Sequence, residues 1–266
     1  MLDQIIPIAR EAGRRIMSFY DRDMGVSYKE DESPLTLADR AGHEYIVESL
    51  RTAFPDIPVI SEEGYQPPYE ERKYFKYFFL VDPLDGTKEF IKRNDEFTVN
   101  IALIEKDHVN LGVVGIPVRE QVYGAARGHG AYFWDKHNVK SPRLAARQGF
   151  NPDKIVAAVS RSHPSGKLNE FIQNIPGMEP KAVGSSLKFC FLADDQIDCY
   201  PRFGPLMEWD TAAAHIVAEE AGAILMGLDG NPITYNKPIL KHEHGFIAAA
   251  NRDMYEWLLK RVEEIS

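Results

Sequence analysis

The stretch YFFLVDPLDGTKEF, Tyr77 to Phe90, sets five apolar residues directly before two aspartates, Asp82 and Asp85, with a glycine and a threonine following. A short apolar run bounded by proline and glycine reads as a buried strand. Only Pro83 and Leu84 separate the carboxylates, so the turn after the strand can aim both at one point, while Gly86 permits a tight backbone path. Backbone N–H groups in such a turn become available to an anion. Aspartates that close a strand also serve as plain turn or cap residues, so the motif gains weight only from acids elsewhere.

Two further acidic points supply it. Ser61-Glu62-Glu63-Gly64 ends the strand-like run PVI, and Trp209-Asp210-Thr211 opens the helical pattern TAAAHIVAEEAGA, where Asp210 taken alone reads equally well as an N-cap. Three acidic sites on three element ends predict a cation site. Mg²⁺ takes a few carboxylates plus water and substrate oxygens, and a pair of such ions can clamp the attacking and leaving oxygens of an in-line displacement. Asp85 between two ions would serve that clamp.

The bulk properties fit a small anionic substrate. A formal charge of -9 argues against a nucleic-acid polymer as partner, whereas a basic pocket or bound cations can reverse the field locally. The 266 residues suffice for one large domain or two modest ones. No run approaches the roughly 18 to 20 apolar residues of a membrane span, and MLDQIIPIAREAGRR lacks the order of a signal peptide, so a cytoplasmic location is expected. Cys190 and Cys199 match neither a disulfide framework nor a CxxC motif and read as buried free thiols.

Apolar residues recur at helical steps from Leu2 to Tyr20 and again through LTLADRAGHEYIVESLRTAF. The runs PVISEEG, YFKYFFLVDPLDGT, FTVNIALIEKD, VNLGVVGIPV and EQVYGAARGHGAYFW, with short connections, predict an antiparallel sheet. GHG at 128–130 reads as a hairpin, since Phe133 stands where GxGxxG needs glycine. The polar stretch SPRLAARQGFNPDK, 141–154, marks the expected boundary between a sheet-rich α+β domain, 1–150, carrying most of the candidate metal ligands, and an α/β domain, 151–266, carrying Asp210. In the second half KIVAAVS reads as a strand, KLNEFIQNI as a helix, KAVGSS as a turn, LKFCFLADD as a helix and QIDCYPRF as a strand. The helix of WDTAAAHIVAEEAGA should end at Gly222, before short strands and the C-terminal helix NRDMYEWLLKRVEEI. The fold class is α/β in layers. His242-Glu243-His244 reads as a solvated loop, and the eight histidines suggest no metal cluster.

Two phosphate motifs are set aside on spacing. Haloacid-dehalogenase enzymes use DxDGT near the N-terminus, whereas this chain has DxxDGT far from it, and GxxxxGK[ST] is absent. SEEG, VDPLDGTKEF and WDTAAAHIVAEEAGA, in that order, resemble instead the lithium-sensitive, magnesium-dependent phosphatase superfamily of inositol monophosphatase and fructose-1,6-bisphosphatase, over essentially the whole chain. DPLDGTKEFIKRNDEFTVNIALI, SRSH, GSSLKFC and YPRFGP are similar to the CysQ-type 3'(2'),5'-bisphosphate nucleotidases. These are phosphoric monoester hydrolases of nucleotide metabolism and sulfur assimilation, and they convert adenosine 3',5'-bisphosphate to AMP and phosphate.

The resemblance implies a five-layered α-β-α-β-α sandwich and two or three Mg²⁺ per site, held by Glu62, Asp82, the Leu84 carbonyl, Asp85 and Asp210. It implies that Gly86 and Thr87 present N–H groups to the phosphate, that Thr87 and Asp39 activate the attacking water and that Glu62 orients it. Asp39, Glu62, Asp85 and Thr87 thus form the implied catalytic set. His163, Ser185, Lys188 and Arg202 are the implied contacts to the rest of the nucleotide, a small-molecule partner. The cytoplasmic expectation is compatible with peripheral attachment at the inner face of the membrane, and with a homodimer. Asp95 stands where related enzymes often have glycine in KRNG, which affects the loop and not the ligands. Two other readings stay open. An inositol monophosphatase is favoured if the pocket lacks basic groups for a second phosphate. A non-catalytic magnesium and nucleotide sensor would share the fold, although the intact Glu62, Asp82, Asp85, Thr87 and Asp210 speak against it.

Overall fold

Helix α1 (Leu2–Met17) turns Ile5, Ile6, Ala9, Ala12 and Ile16 inward, as its three- and four-residue spacing requires. Helix α2 (Leu37–Ala53) opens with a capping box: the Thr36 N–H donates to Asp39 Oδ2 at 2.7 Å, and Thr36 Oγ1 accepts from the Asp39 N–H. The computed structural model describes residues 1–22, 24–29, 34–162 and 166–265. A two-residue pair, β1 (Ser27–Tyr28) and β2 (Pro34–Leu35), bridges the segment between these helices.

Both helices cover one face of a six-stranded sheet ordered β3 (Val59–Ser61), β4 (Tyr77–Asp85), β5 (Thr98–Glu105), β6 (His108–Ile116), β7 (Gln121–Ala126) and β8 (Ala131–Trp134). Neighbours pair antiparallel except β3 and β4, which run parallel, so the expectation of a wholly antiparallel sheet is corrected. Parallel strands need a crossover, and the segment from Glu62 to Lys76, with helix α3 (Tyr69–Arg72), provides it. The consequence is functional. The C-terminal ends of β3 and β4 lie side by side, and the Glu62 N–H donates to the Val81 carbonyl at 3.0 Å, so Glu62 and Asp82 share one sheet edge.

Strand β4 continues through Asp85 instead of ending before Asp82, which corrects the turn expected there. Asp82 pairs with Asn100 and Asp85 with Thr98, so three steps along β4 oppose two along β5. In a regular strand residues three apart face opposite sides. The extra residue, a β-bulge at Pro83-Leu84, returns Asp85 to the face of Asp82. Helix α4 (Thr87–Lys92) follows directly.

The second sheet is ordered β10 (Met178–Val183), β9 (Ile155–Ser160), β11 (Cys199–Arg202), β15 (Phe246–Ala249) and β13 (Ile224–Gly227). KAV of KAVGSS belongs to β10 and not to a turn. An edge strand tolerates Pro180 and exposed charge, which hides its pattern from the sequence. Helices α6 (Leu187–Ala193) and α7 (Ala212–Glu220) lie between the sheets, and α5 (Gly166–Gln173) with α8 (Arg252–Ile265) covers the far side, giving the five α-β-α-β-α layers. Helix α7 buries Ala212, Ala213, Ala214, Ile216, Val217 and Ala218 and rests on β6 at Gly112, where a Cβ would stand 2.2 Å from the Ala213 carbonyl oxygen.

A final pair, β12 (Leu206–Met207) with β14 (Lys241–His242), folds the 236–242 segment over the start of α7. His242 is therefore buried, 2.9 Å from Thr211 Oγ1, and is not part of a solvated loop. Both cysteines are buried and free. Asp95 adopts the left-handed φ of 66° that glycine would take and accepts the Tyr20 hydroxyl at 2.7 Å. Among the described residues no helix is long and apolar enough to cross a membrane.

Candidate active site

Glu62 after β3, Asp82 in β4 and Asp210 before α7 offer carboxylate oxygens that all lie within 4.8 Å of one another. Three elements distant in sequence thus converge at one edge of the first sheet. The surrounding protein strips solvent from Asp82 and raises its pKa well above the carboxylate range, and Glu62, Asp85 and Asp210 add repulsion. Asp210 is raised by the same desolvation and by Asp85 and Glu62, with Arg202 opposing. Hard oxygen donors packed against mutual repulsion are a donor set that a divalent cation completes, and its chemistry fits Mg²⁺.

Asp85 stands beside this cluster. Its Oδ2 accepts the Ser186 N–H at 2.6 Å, the Asn100 side-chain amide at 3.3 Å and the Thr98 hydroxyl at 3.4 Å. Desolvation lifts its pKa to about 6 against the opposing charge of Lys188 and these hydrogen bonds. The Thr87 hydroxyl donates to Asp39 Oδ1 at 3.0 Å, which brings the expected pair together, and lies 3.2 Å from the Leu84 carbonyl. Burial raises the Asp39 pKa while hydrogen bonds from Thr36 and Thr87 hold it down. Gly86 precedes α4 with φ 93°, and a Cβ there would meet the Glu96 carbonyl at 3.2 Å and Ser185 at 3.3 Å. Glycine is required twice over, by conformation and by close approach.

Glu62, Asp82, Leu84, Asp85, Gly86, Thr87 and Asp210 line a cavity of about 300 Å³ together with Ser185, Lys188 and Arg202. Asp39 lies behind Thr87, and His163 falls outside the described residues. The buried Lys188 ammonium donates to the Ser185 carbonyl at 2.6 Å and sits 5.1 Å over the Tyr200 ring. Arg202 donates to the Pro205 carbonyl at 2.7 Å.

The sequence reading missed charged neighbours, among them Lys29, Glu89 and Lys241. Lys29 holds Glu62 at 2.6 Å and Glu63 at 2.5 Å. Burial works against its charge, but the two glutamates outweigh that and keep its pKa above the ordinary lysine value. Glu89, buried beside Gly86, and Lys241 also line the cavity. Lys29 heads the polar tract KEDESP, which carries no periodicity to mark it; Glu89 stood inside the quoted motif at the third position of α4, where position alone could have pointed to it.

The pattern of the inositol monophosphatase family matches residues 1–266. The 3'(2'),5'-bisphosphate nucleotidase CysQ of Escherichia coli is 46% identical over 237 residues, 88% of this chain and 94% of that protein. CysQ of Buchnera aphidicola is 39% identical over 242 residues, 89% of this chain and 88% of that one. Among solved structures, CysQ from Bacteroides thetaiotaomicron superposes with a TM-score of 0.80 at 38% identity, covering 92% of this chain and 95% of that chain. The Thermotoga maritima IMPase shares the fold with a TM-score of 0.82 at 23% identity, over 99% and 97% of the two chains.

Proposed function

The chain belongs to the inositol monophosphatase family, and we propose that it is a phosphatase that removes the 3'-phosphate of adenosine 3',5'-bisphosphate to give AMP and phosphate. The observation that carries this reading is one cavity in which the Glu62–Asp82–Asp210 cluster faces Lys188 and Arg202. Carboxylates suited to cations and cations suited to a second phosphate line the same cavity. An inositol monophosphatase has no need of the latter. The nucleotidase relatives at 46% identity and the 38% identical solved structure support the same choice.

In this reading Glu62 and Asp82 would hold one Mg²⁺, Asp82 and Asp210 would hold a second, Asp85 would stand between the two, and the Leu84 carbonyl would be a further ligand. Bound Mg²⁺ supplies charge to the phosphate oxygens and a water acidic enough to attack near neutral pH. The chain's own groups do the positioning. Gly86 and Thr87 offer N–H groups to the phosphate at the start of α4. Asp39 draws the Thr87 hydroxyl proton, which leaves the Thr87 oxygen free to accept from a water lying between it and Glu62. Ser185, Lys188 and Arg202 receive the part of the nucleotide that is not cleaved, with His163 assigned there by family likeness alone. The reaction joins water oxygen to phosphorus and breaks the bond to the 3'-oxygen, with no covalent enzyme intermediate. The substrate is a small molecule and the location cytoplasmic; neither a homodimer nor membrane attachment is needed.

A phosphate-release assay with adenosine 3',5'-bisphosphate, its 2',5' isomer, inositol 1-phosphate and fructose 1,6-bisphosphate, with Mg²⁺ or with excess EDTA, tests the reading. We expect the nucleotides to be preferred and chelation to abolish turnover. More efficient hydrolysis of inositol 1-phosphate would replace the substrate assignment. Full activity in EDTA would overturn the metal assignment.

A further inference from the structure

Asp210 stands between two residues that are both gripped by the segment 236–242. On one side the buried Glu208 accepts the Asn236 N–H at 2.7 Å and the Lys237 N–H at 3.1 Å, one on each carboxylate oxygen. On the other, Thr211 Oγ1 lies 2.9 Å from His242 Nε2, and His242 Nδ1 lies 2.6 Å from Lys237 Nζ. These distances fix the direction of every bond. An ammonium has only donors, so Nδ1 accepts and Nε2 carries the ring proton. Nε2 then donates to Thr211 Oγ1, and the Thr211 hydroxyl donates onward to the Glu208 carbonyl at 3.0 Å. Burial, with Lys237 and His215 nearby, pushes the His242 pKa down to about 3, in keeping with a neutral ring.

The result is a closed loop of hydrogen bonds around residues 208 to 211, entered twice from Lys237, once by its backbone and once by its ammonium. The segment is pinned in turn from the other half of the chain. Arg72 of α3 donates to Asn236 Oδ1 at 2.6 Å and to the Pro238 carbonyl at 2.9 Å, and the Asn236 amide returns to the Arg72 carbonyl at 3.1 Å. Arg72 lies on the crossover that begins at Glu62, so the carrier of one cluster member is tied to the support of another.

We propose that Lys237 is a positioning residue for the cation site: by holding Glu208 through its backbone and Thr211 through His242, on either side of Asp210, it sets that carboxylate against Glu62 and Asp82. The inference rests on the metal-site reading above. Without the ammonium the His242 ring is free to change tautomer; Nε2 then accepts from the Thr211 hydroxyl, which is drawn off the Glu208 carbonyl, and the start of α7 loosens. The Thr87–Asp39 pair on the opposite side stays as it is. The Lys237 side chain is half-buried, and methionine keeps most of its aliphatic length, so Lys237→Met removes the charge with little loss of packing.

The test is Mg²⁺ titration calorimetry on full-length, EDTA-stripped protein, with thermal melts, for the parent, Lys237→Met, His242→Gln, His242→Ala and Asp210→Asn. Lys237→Met should fold normally and bind Mg²⁺ about 5- to 30-fold more weakly, as two or three strained hydrogen bonds would give. His242→Gln keeps an amide N–H near the place of Nε2 and should bind more tightly than His242→Ala; a purely structural role would not separate the two. A Mg²⁺ affinity of Lys237→Met within twofold of the parent, with Asp210→Asn impaired, overturns the role of Lys237 alone. Equal affinities for the two His242 variants overturn it as well, should Lys237→Met not fold. Parent-like Mg²⁺ binding by Asp210→Asn overturns the metal-site reading itself.

Discussion

The Thr87 hydroxyl and the Asp39 carboxylate, 3.0 Å apart, join the first turn of α4 to the first turn of α2. Asp39 cannot swing away, because its other oxygen is held by Thr36 in the capping box. Thr87→Ala should therefore lower kcat by about 100-fold or more, the usual scale of a lost proton-transfer group, with Mg²⁺ affinity within about threefold of the parent. Thr87→Ser should recover much of the loss. Steady-state kinetics at saturating Mg²⁺ decide it: near-parent kcat for Thr87→Ala would remove the pair from the mechanism.

Asp85→Asn keeps the side-chain shape and an oxygen for the Ser186 N–H, so the fold should survive. It removes a negative charge from the position proposed between two cations. We expect kcat to fall by at least about 100-fold, on the scale of removing one electrostatic stabiliser. Turnover within about threefold of the parent, a barrier change of only about 0.65 kcal/mol, would end the bridging assignment.

Mg²⁺ affinity should rise with pH. Metal-free, Asp85 titrates at about 6, and Asp82 and Asp210 are also raised, so a cation must displace protons to bind. The stability sign follows from the same shifts. The folded metal-free state holds protons that the unfolded chain has released above its ordinary carboxyl pKa of 3.8, so these groups weaken the fold as pH rises from there through about 6. The gain in Tm on adding Mg²⁺ should accordingly be larger at about pH 7 than at about pH 5. An equal gain at both would refute the linkage.

Two buried histidines work in the opposite sense. Burial depresses His215 to about 4 and His242 to about 3 from the ordinary 6.5. Their neutral forms are stable in the fold above pH 6.5, and this stability is lost as pH falls toward 4, because the unfolded chain takes up the protons first. For His215 the full loss is on the order of 3 kcal/mol. Urea unfolding at saturating Mg²⁺ should show stability falling between about pH 6.5 and 4.5, with a shallower slope for His215→Gln. An unchanged slope in that variant would assign the acid sensitivity elsewhere.

Much of this architecture was readable in the chain. The long apolar runs of β4, β5 and β6 and the even spacing of α1 and α2 come from burial on fixed faces, which sequence records directly. The acidic residues of the cluster were readable because Glu62 and Asp82 close apolar runs and Asp210 opens one. Pairing direction was not. Nothing in PVISEEG says that β3 runs parallel to β4, since that depends on where the crossover lies. The bulge at Pro83-Leu84 shows only in the register against Thr98 and Asn100. Lys29 reaches Glu62 from a polar tract without period, and His242 is buried by a two-residue pairing too short to leave a pattern. Lys188 and Arg202 were named by likeness, and only the fold brings them to one cavity.

Helix α7 has almost no solvated face: it belongs by sequence to the second half of the chain, yet rests through Gly112 on β6 of the first. Residues 1–150 alone would leave the bed of that helix bare, and residues 151–266 alone would leave the helix uncovered. The two halves are thus partners in one cooperative act of folding. Asp210, carried at the head of α7, adds its charge to that of Glu62 and Asp82 only when the halves close on each other.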